Sequence, residues 1–73
     1  MTENLTDLDR AILNLEKQWW KYTAAKEKAA RDQMGLSATR YYLALNQLLD
    51  NPAAAAAEPI LINRLREKRD ASQ

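Results

Sequence analysis

The chain has no cysteine and no histidine. The first absence excludes disulfides, thiolate zinc sites, iron–sulfur clusters and thiol nucleophiles; the second removes the commonest general base and metal ligand. No nucleotide-cradling glycine loop is present either, because Gly35 is the only glycine. The sequence therefore predicts a non-enzyme with no cofactor, no metal and no small-molecule substrate. Glycine and proline (Pro52, Pro59) are too scarce to punctuate a many-stranded sheet, and phenylalanine is absent. No apolar run approaches membrane-spanning length, and the polar, acidic first residues do not resemble a secretion signal. The expectation is a cytoplasmic protein without a membrane partner. At 73 residues it reads as a single helical domain over 1–73, with little room for a deep cleft.

What is present is leucine, alanine and charge in helical order. Leu5, Leu8, Ile12, Leu15, Trp19 and Tyr22 follow one another at steps of three or four, a single stripe on a helix predicted over about 7–22. Thr6 and Asp9 have the spacing of a capping box at its start. Trp19 and Tyr22 extend this stripe, which favours core packing over a base-stacking platform. Asp7, Asp9 and Glu16 are expected on its outer side. A second helix is predicted from Ala24 to Met34, with Thr23 as N-cap, Ala25 and Ala29 inward and Lys26, Glu27, Lys28, Arg31 and Asp32 outward.

Gly35 then sits where a helix end needs positive φ, Leu36 covers the corner and Ser37 can cap the next helix. That helix, about 38–50, has an apolar side of Tyr41, Tyr42, Leu45, Leu48 and Leu49, leaving Thr39, Arg40, Leu43, Asn46 and Gln47 near the other. Asn51-Pro52 stops it, and Ala53–Ala57 reads as a short helical turn or connector. Pro59 opens a C-terminal basic helix over 59–70, with Ile60, Leu61, Ile62 and Leu65 on its apolar side and Arg64, Arg66, Lys68 and Arg69 following. The last residues, 71–73, are expected to fray. The fold class is all-α: a compact bundle of three main helices with a helix-turn-helix, plus the C-terminal helix.

Residues 24–50 have the grammar of a helix-turn-helix: small residues for a close crossing, glycine in the turn, apolar pins at Met34 and Leu36, and a capped second helix. An ordinary helical hairpin can use the same corner residues. Under the DNA-binding reading, Ser37, Thr39 and Arg40 would meet DNA at the start of the recognition helix, with Tyr42, Leu43, Asn46 and Gln47 further along. Lys21, Lys26, Lys28, Arg64, Arg66 and Lys68 would reach phosphates. The net charge of +1 decides nothing by itself, although residues 1–20 carry four acids against two bases and the rest of the chain is net basic.

The segments Trp19-Trp20-Lys21-Tyr22, Ala25-Lys26-Glu27, Gly35-Leu36-Ser37-Ala38-Thr39-Arg40-Tyr41-Tyr42 and Leu45-Asn46 resemble a family of short actinobacterial proteins grouped as a domain of unknown function. The likeness extends over about residues 8–69. Some members are regarded as nucleoid-associated DNA-binding proteins, so the resemblance implies a DNA-binding role in the nucleoid. Members often have a longer basic C-terminal extension than the short run here, implying fewer phosphate contacts and a shallower salt dependence, which a homodimer would offset.

The expected function is thus binding of double-stranded DNA, nucleoid-associated or transcription-regulating. The competing expectation is a helical adaptor in a transcription or phage–host complex, presenting Trp20 and Leu43 to a protein partner. RNA binding is a third reading, without a recognised RNA module to support it.

Overall fold

The computed structural model describes residues 5–71. Five helices occupy these residues: α1 (Asp7–Lys17), α2 (Thr23–Met34), α3 (Ala38–Leu49), α4 (Pro52–Ala57) and α5 (Pro59–Ala71). No strand occurs among them, and the fold is all-α. No helix among the described residues is long and apolar enough to cross a membrane. The fraying expected at the chain end falls partly on residues 72–73, outside the described residues; Ala71 is helical.

Local chemistry sets most boundaries. Thr6 and Asp9 form the reciprocal capping box, with Asp9 N donating to Thr6 Oγ1 at 3.0 Å and Thr6 N donating to Asp9 Oδ2 at 3.1 Å. Gly35 ends α2 in the left-handed region at φ 70°, its N–H donating to the Arg31 carbonyl. Ser37 caps α3 by accepting from Arg40 N. Asn51 ends the chain's third helical run and starts α4, accepting from Ala53 N at 2.8 Å, with Pro52 in the first position. Thr23 does not cap α2; Tyr22 occupies the cap position and offers no side-chain hydrogen bond.

The first helix stops at Lys17, five residues before the predicted end. Its Leu15 carbonyl, which a continuing helix would pair with the residue four further on, instead accepts from Gln18 N and from the indole N–H of Trp20 at 2.7 Å. The stripe breaks there: Trp19 is 82% exposed and Tyr22 is exposed, while Leu8 also faces water. Leu13 and Glu16 are buried in their place.

The core is built from Leu5, Ile12, Leu13 and Leu15, Ala30 of α2, Tyr41, Leu45, Leu48 and Leu49 of α3, Ala54 of α4, and Leu61 and Ile62 of α5. On α3 the predicted division between apolar and open sides matches the observed one. On α2 it does not: Ala25 is exposed, Ala29 is half-buried, Ala30 is fully buried, and Lys26 and Glu27 turn inward. A helix made of alanine and charged residues has no strong apolar stripe, so its neighbours set its rotation. The alanine run forms a true short helix with Ala54 in the core. Ile60 is exposed, because consecutive residues on a helix lie about 100° apart and Leu61 and Ile62 take the inward positions.

Candidate nucleic-acid interface

The corner between α2 and α3 is three residues long, Gly35, Leu36 and Ser37, with Met34 and Leu36 packed against the core. It presents the first turn of α3 outward, where Ser37, Thr39 and Arg40 are exposed, followed along the same side by Leu43, Asn46 and Gln47. Arg40 makes no ion pair or side-chain hydrogen bond with any described residue. Lys28 and Arg31 line a hollow with Ala38 beside the start of α3, together with the carboxylates Glu27 and Asp32, so the hollow is charge-balanced. Lys28 is held by Asp32 at 2.7 Å across one helical turn, an exposed pair of small energetic weight. Arg31 was not singled out as a contact from sequence; its place in the last turn before Gly35 is the signal that would have found it.

Tyr42 is half-buried at the edge of this face and meets Tyr41 edge-on, the ring centres 5.3 Å apart. Burial, and then the nearby Glu27 carboxylate, push its hydroxyl up to about 12. Asn46 is exposed but engaged, its Oδ1 accepting from Arg69 at 3.1 Å. Tyr42, Leu43, Leu45, Asn46, Leu49 and Leu65 surround a largely apolar cleft of about 460 Å³ between α3 and α5, and Leu43 at its rim is 60% exposed.

The other expected phosphate contacts scatter. Lys26 is only 16% exposed and is paired with the buried Glu16 carboxylate at 3.0 Å, a requirement of packing that places Glu16 inward rather than on the outer side of α1. Arg66 donates its Nε–H to the Leu49 carbonyl, satisfying an end-of-helix acceptor of α3. Arg69 adds an ion pair to Asp50 at 3.5 Å. Both cations therefore serve the carbonyl end of α3, where the helix dipole favours positive charge. Lys21 is exposed, its ammonium 5.5 Å from the Tyr22 ring centre. Arg64 and Lys68 line a different, polar cleft on the other side of Leu65, beside the α1–α2 linker.

Among the described residues no group of three histidine, cysteine, aspartate or glutamate side chains has the arrangement to hold a metal ion. The family model described as protein of unknown function (DUF3263) matches residues 4–73. The chain belongs to the DUF3263 family. No curated protein and no solved structure matches it.

The DUF3263 match takes in all five helices, so the open face of α3 and both clefts along α5 lie within the family domain. In this DUF3263 chain, sequence reasoning anticipated the exposure of Ser37, Thr39, Arg40, Leu43, Asn46 and Gln47, while Tyr42, expected on the same accessible side, is half-buried. Sequence reasoning did not separate cations available to a ligand, such as Arg40 and Arg64, from those consumed by the fold, Lys26, Arg66 and Arg69.

Proposed function

We propose that this protein binds double-stranded DNA through α3, with α2, the Gly35 turn and α3 acting as a helix-turn-helix. The observation that carries the reading is Arg40: a guanidinium with no ion pair or side-chain hydrogen bond among the described residues, in the first exposed turn of a capped helix beside Thr39 and Ser37. A recognition helix enters the major groove by its N-terminal residues, and an arginine there can take a guanine edge or a phosphate. Arg31 flanks that turn and is exposed, while Lys28 beside it is held by Asp32 in an exposed pair that a phosphate would have to displace. Gln47 is positioned further along the same side. Such a protein would act in the nucleoid or in transcription regulation, and a homodimer would double its contacts. Lys26, Arg66 and Asn46 have a reduced role, since each already has a partner within the fold.

A second reading, an adaptor for a protein of the transcription machinery, is favoured by the apolar cleft beside Leu43. Thr39, Leu43 and Asn46 belong to both surfaces, so DNA and a protein partner would compete for them.

The deciding experiment is fluorescence anisotropy of labelled duplex DNA at several salt concentrations, with solution mass recorded alongside. Binding should fall steeply with salt, and Arg40→Ala should weaken it by about 1–3 kcal/mol with unchanged folding stability. Absence of duplex binding at low salt overturns the DNA reading in favour of the adaptor.

A further inference from the structure

The linker between α1 and α2 carries two adjacent tryptophans treated in opposite ways. Trp20 is half-buried and tethered by its indole N–H to the Leu15 carbonyl. Trp19 is 82% exposed, and Tyr22, three residues on, is exposed as well. Trp19 stands at the edge of a polar cleft of about 410 Å³ that runs between this linker and α5. Among the described residues four cations line it, Lys17, Lys26, Arg64 and Lys68, against one carboxylate, Glu16. That carboxylate is already engaged by Tyr41 and Lys26.

The cations differ in availability. Arg64 is exposed and has no ion pair or side-chain hydrogen bond with any described residue. Lys17 holds Glu58 at 3.1 Å, but half-exposed pairs of this kind are worth little and exchange readily for a stronger anion. Lys26 stays locked on Glu16, the two charges largely cancelling, and adds neither a contact nor net charge to the cleft.

We propose that this cleft is a second binding site, for single-stranded nucleic acid, in which a base stacks on Trp19 and the adjoining phosphates are met by Arg64 and Lys17. An exposed indole beside a basic groove supplies the two elements that single strands require: a π-face for an unstacked base and a positive track for the backbone. A duplex does not fit the requirement, since its bases are already stacked and Trp19 could reach one only after flipping. An apolar peptide fits the α3–α5 cleft better than this polar one. Stacking and phosphate contact are common to DNA and RNA strands, so the site should take either. The site is independent of α3: α5 separates the two clefts, with Leu65 lining both.

The test titrates the full chain at low salt with short oligothymidylate, short oligouridylate and a matched duplex, reading tryptophan emission and anisotropy. At least one single strand should quench the emission. Trp19→Ala should weaken single-strand binding about tenfold or more and Trp19→Phe should restore most of it. Arg64→Ala should make the salt dependence shallower by about one phosphate contact. Arg40→Ala should leave single-strand binding intact, and Trp19→Ala should leave duplex binding intact, which distinguishes this site from the one on α3. Far-ultraviolet circular dichroism verifies that each surface variant is folded. Failure of both single strands to bind, or equal binding by Trp19→Ala and the parent chain, overturns the proposal.

Discussion

The hydroxyl of Tyr41 donates to the Glu16 carboxylate at 2.6 Å, joining α3 to α1 in the middle of the bundle. Lys26 of α2 reaches the same oxygen at 3.0 Å, so one carboxylate gathers all three main helices. The Lys26 ammonium also lies 5.4 Å from the Tyr42 ring centre, where the aromatic face favours a cation. Among the described residues no buried side-chain polar atom lacks a hydrogen-bond partner, so this polar cluster is fully satisfied.

Removing the Tyr41 hydroxyl should cost stability without opening a cavity. Tyr41→Phe preserves the ring at a fully buried position but strips a charge-assisted bond from Glu16. The expected loss is about 1–3 kcal/mol by urea unfolding. An unchanged midpoint would show that Glu16 finds an equivalent donor in water.

Breaking the ion pair should cost more than losing both partners together would suggest. Glu16→Ala leaves Lys26 with an uncompensated charge in a mostly buried place, and Lys26→Ala does the converse to Glu16; each is expected to lose about 3 kcal/mol. The double substitution should fall well short of the sum, and a double-mutant cycle measures the coupling directly. Additive losses would mean the pair does not interact.

Alkaline pH should unfold the protein earlier than neutral pH. Burial raises the hydroxyls of both Tyr41 and Tyr42 above their ordinary value near 10, Tyr42 to about 12, so the folded state favours their neutral forms. The unfolded chain ionises first. The resulting stability is complete below about pH 10 and is lost as pH rises towards 12 and beyond. Thermal melts across this range should show the decline, and Tyr42→Phe should flatten part of it.

Gly35 is required for its backbone and not for space. An added Cβ would meet no heavy atom within 4 Å, yet φ of 70° is disfavoured for any side-chain-bearing residue. Gly35→Ala should therefore cost about 1–2 kcal/mol, with asparagine tolerated better. A loss far above this range in chemical denaturation would indicate that the turn constrains more than one residue.

The neighbouring tryptophans should separate in stability as they do in exposure. Trp20→Ala removes packing and the bond that closes α1 and should cost about 2 kcal/mol or more, whereas Trp19→Ala should stay within about 0.5 kcal/mol of the parent. Equal losses would place Trp19 in the folding core and weaken its assignment as a ligand platform.

Legible in the residue pattern were the all-α class, the capping box at Thr6 and Asp9, the left-handed stop at Gly35, the cap at Ser37, the break at Asn51-Pro52, and both sides of α3. These features depend on residues within a few positions of one another, or on the strong apolar pattern of one helix. The end of α1 at Lys17 was not legible, because the stripe through Trp19 and Tyr22 satisfies helical spacing and no residue type there forbids its continuation. Only the tertiary structure turned Glu16 and Lys26 inward and committed Arg66 and Arg69 to the end of α3. For the charged residues, the pattern on one helix records no information about which opposite charge, carbonyl or hydroxyl the next helix brings to it; for the end of α1, helical spacing alone does not reveal that the Trp20 indole will take the Leu15 carbonyl. The same packing left Trp19 beside a basic cleft and Arg40 without an ion pair among the described residues, the two features on which the proposed binding sites rest.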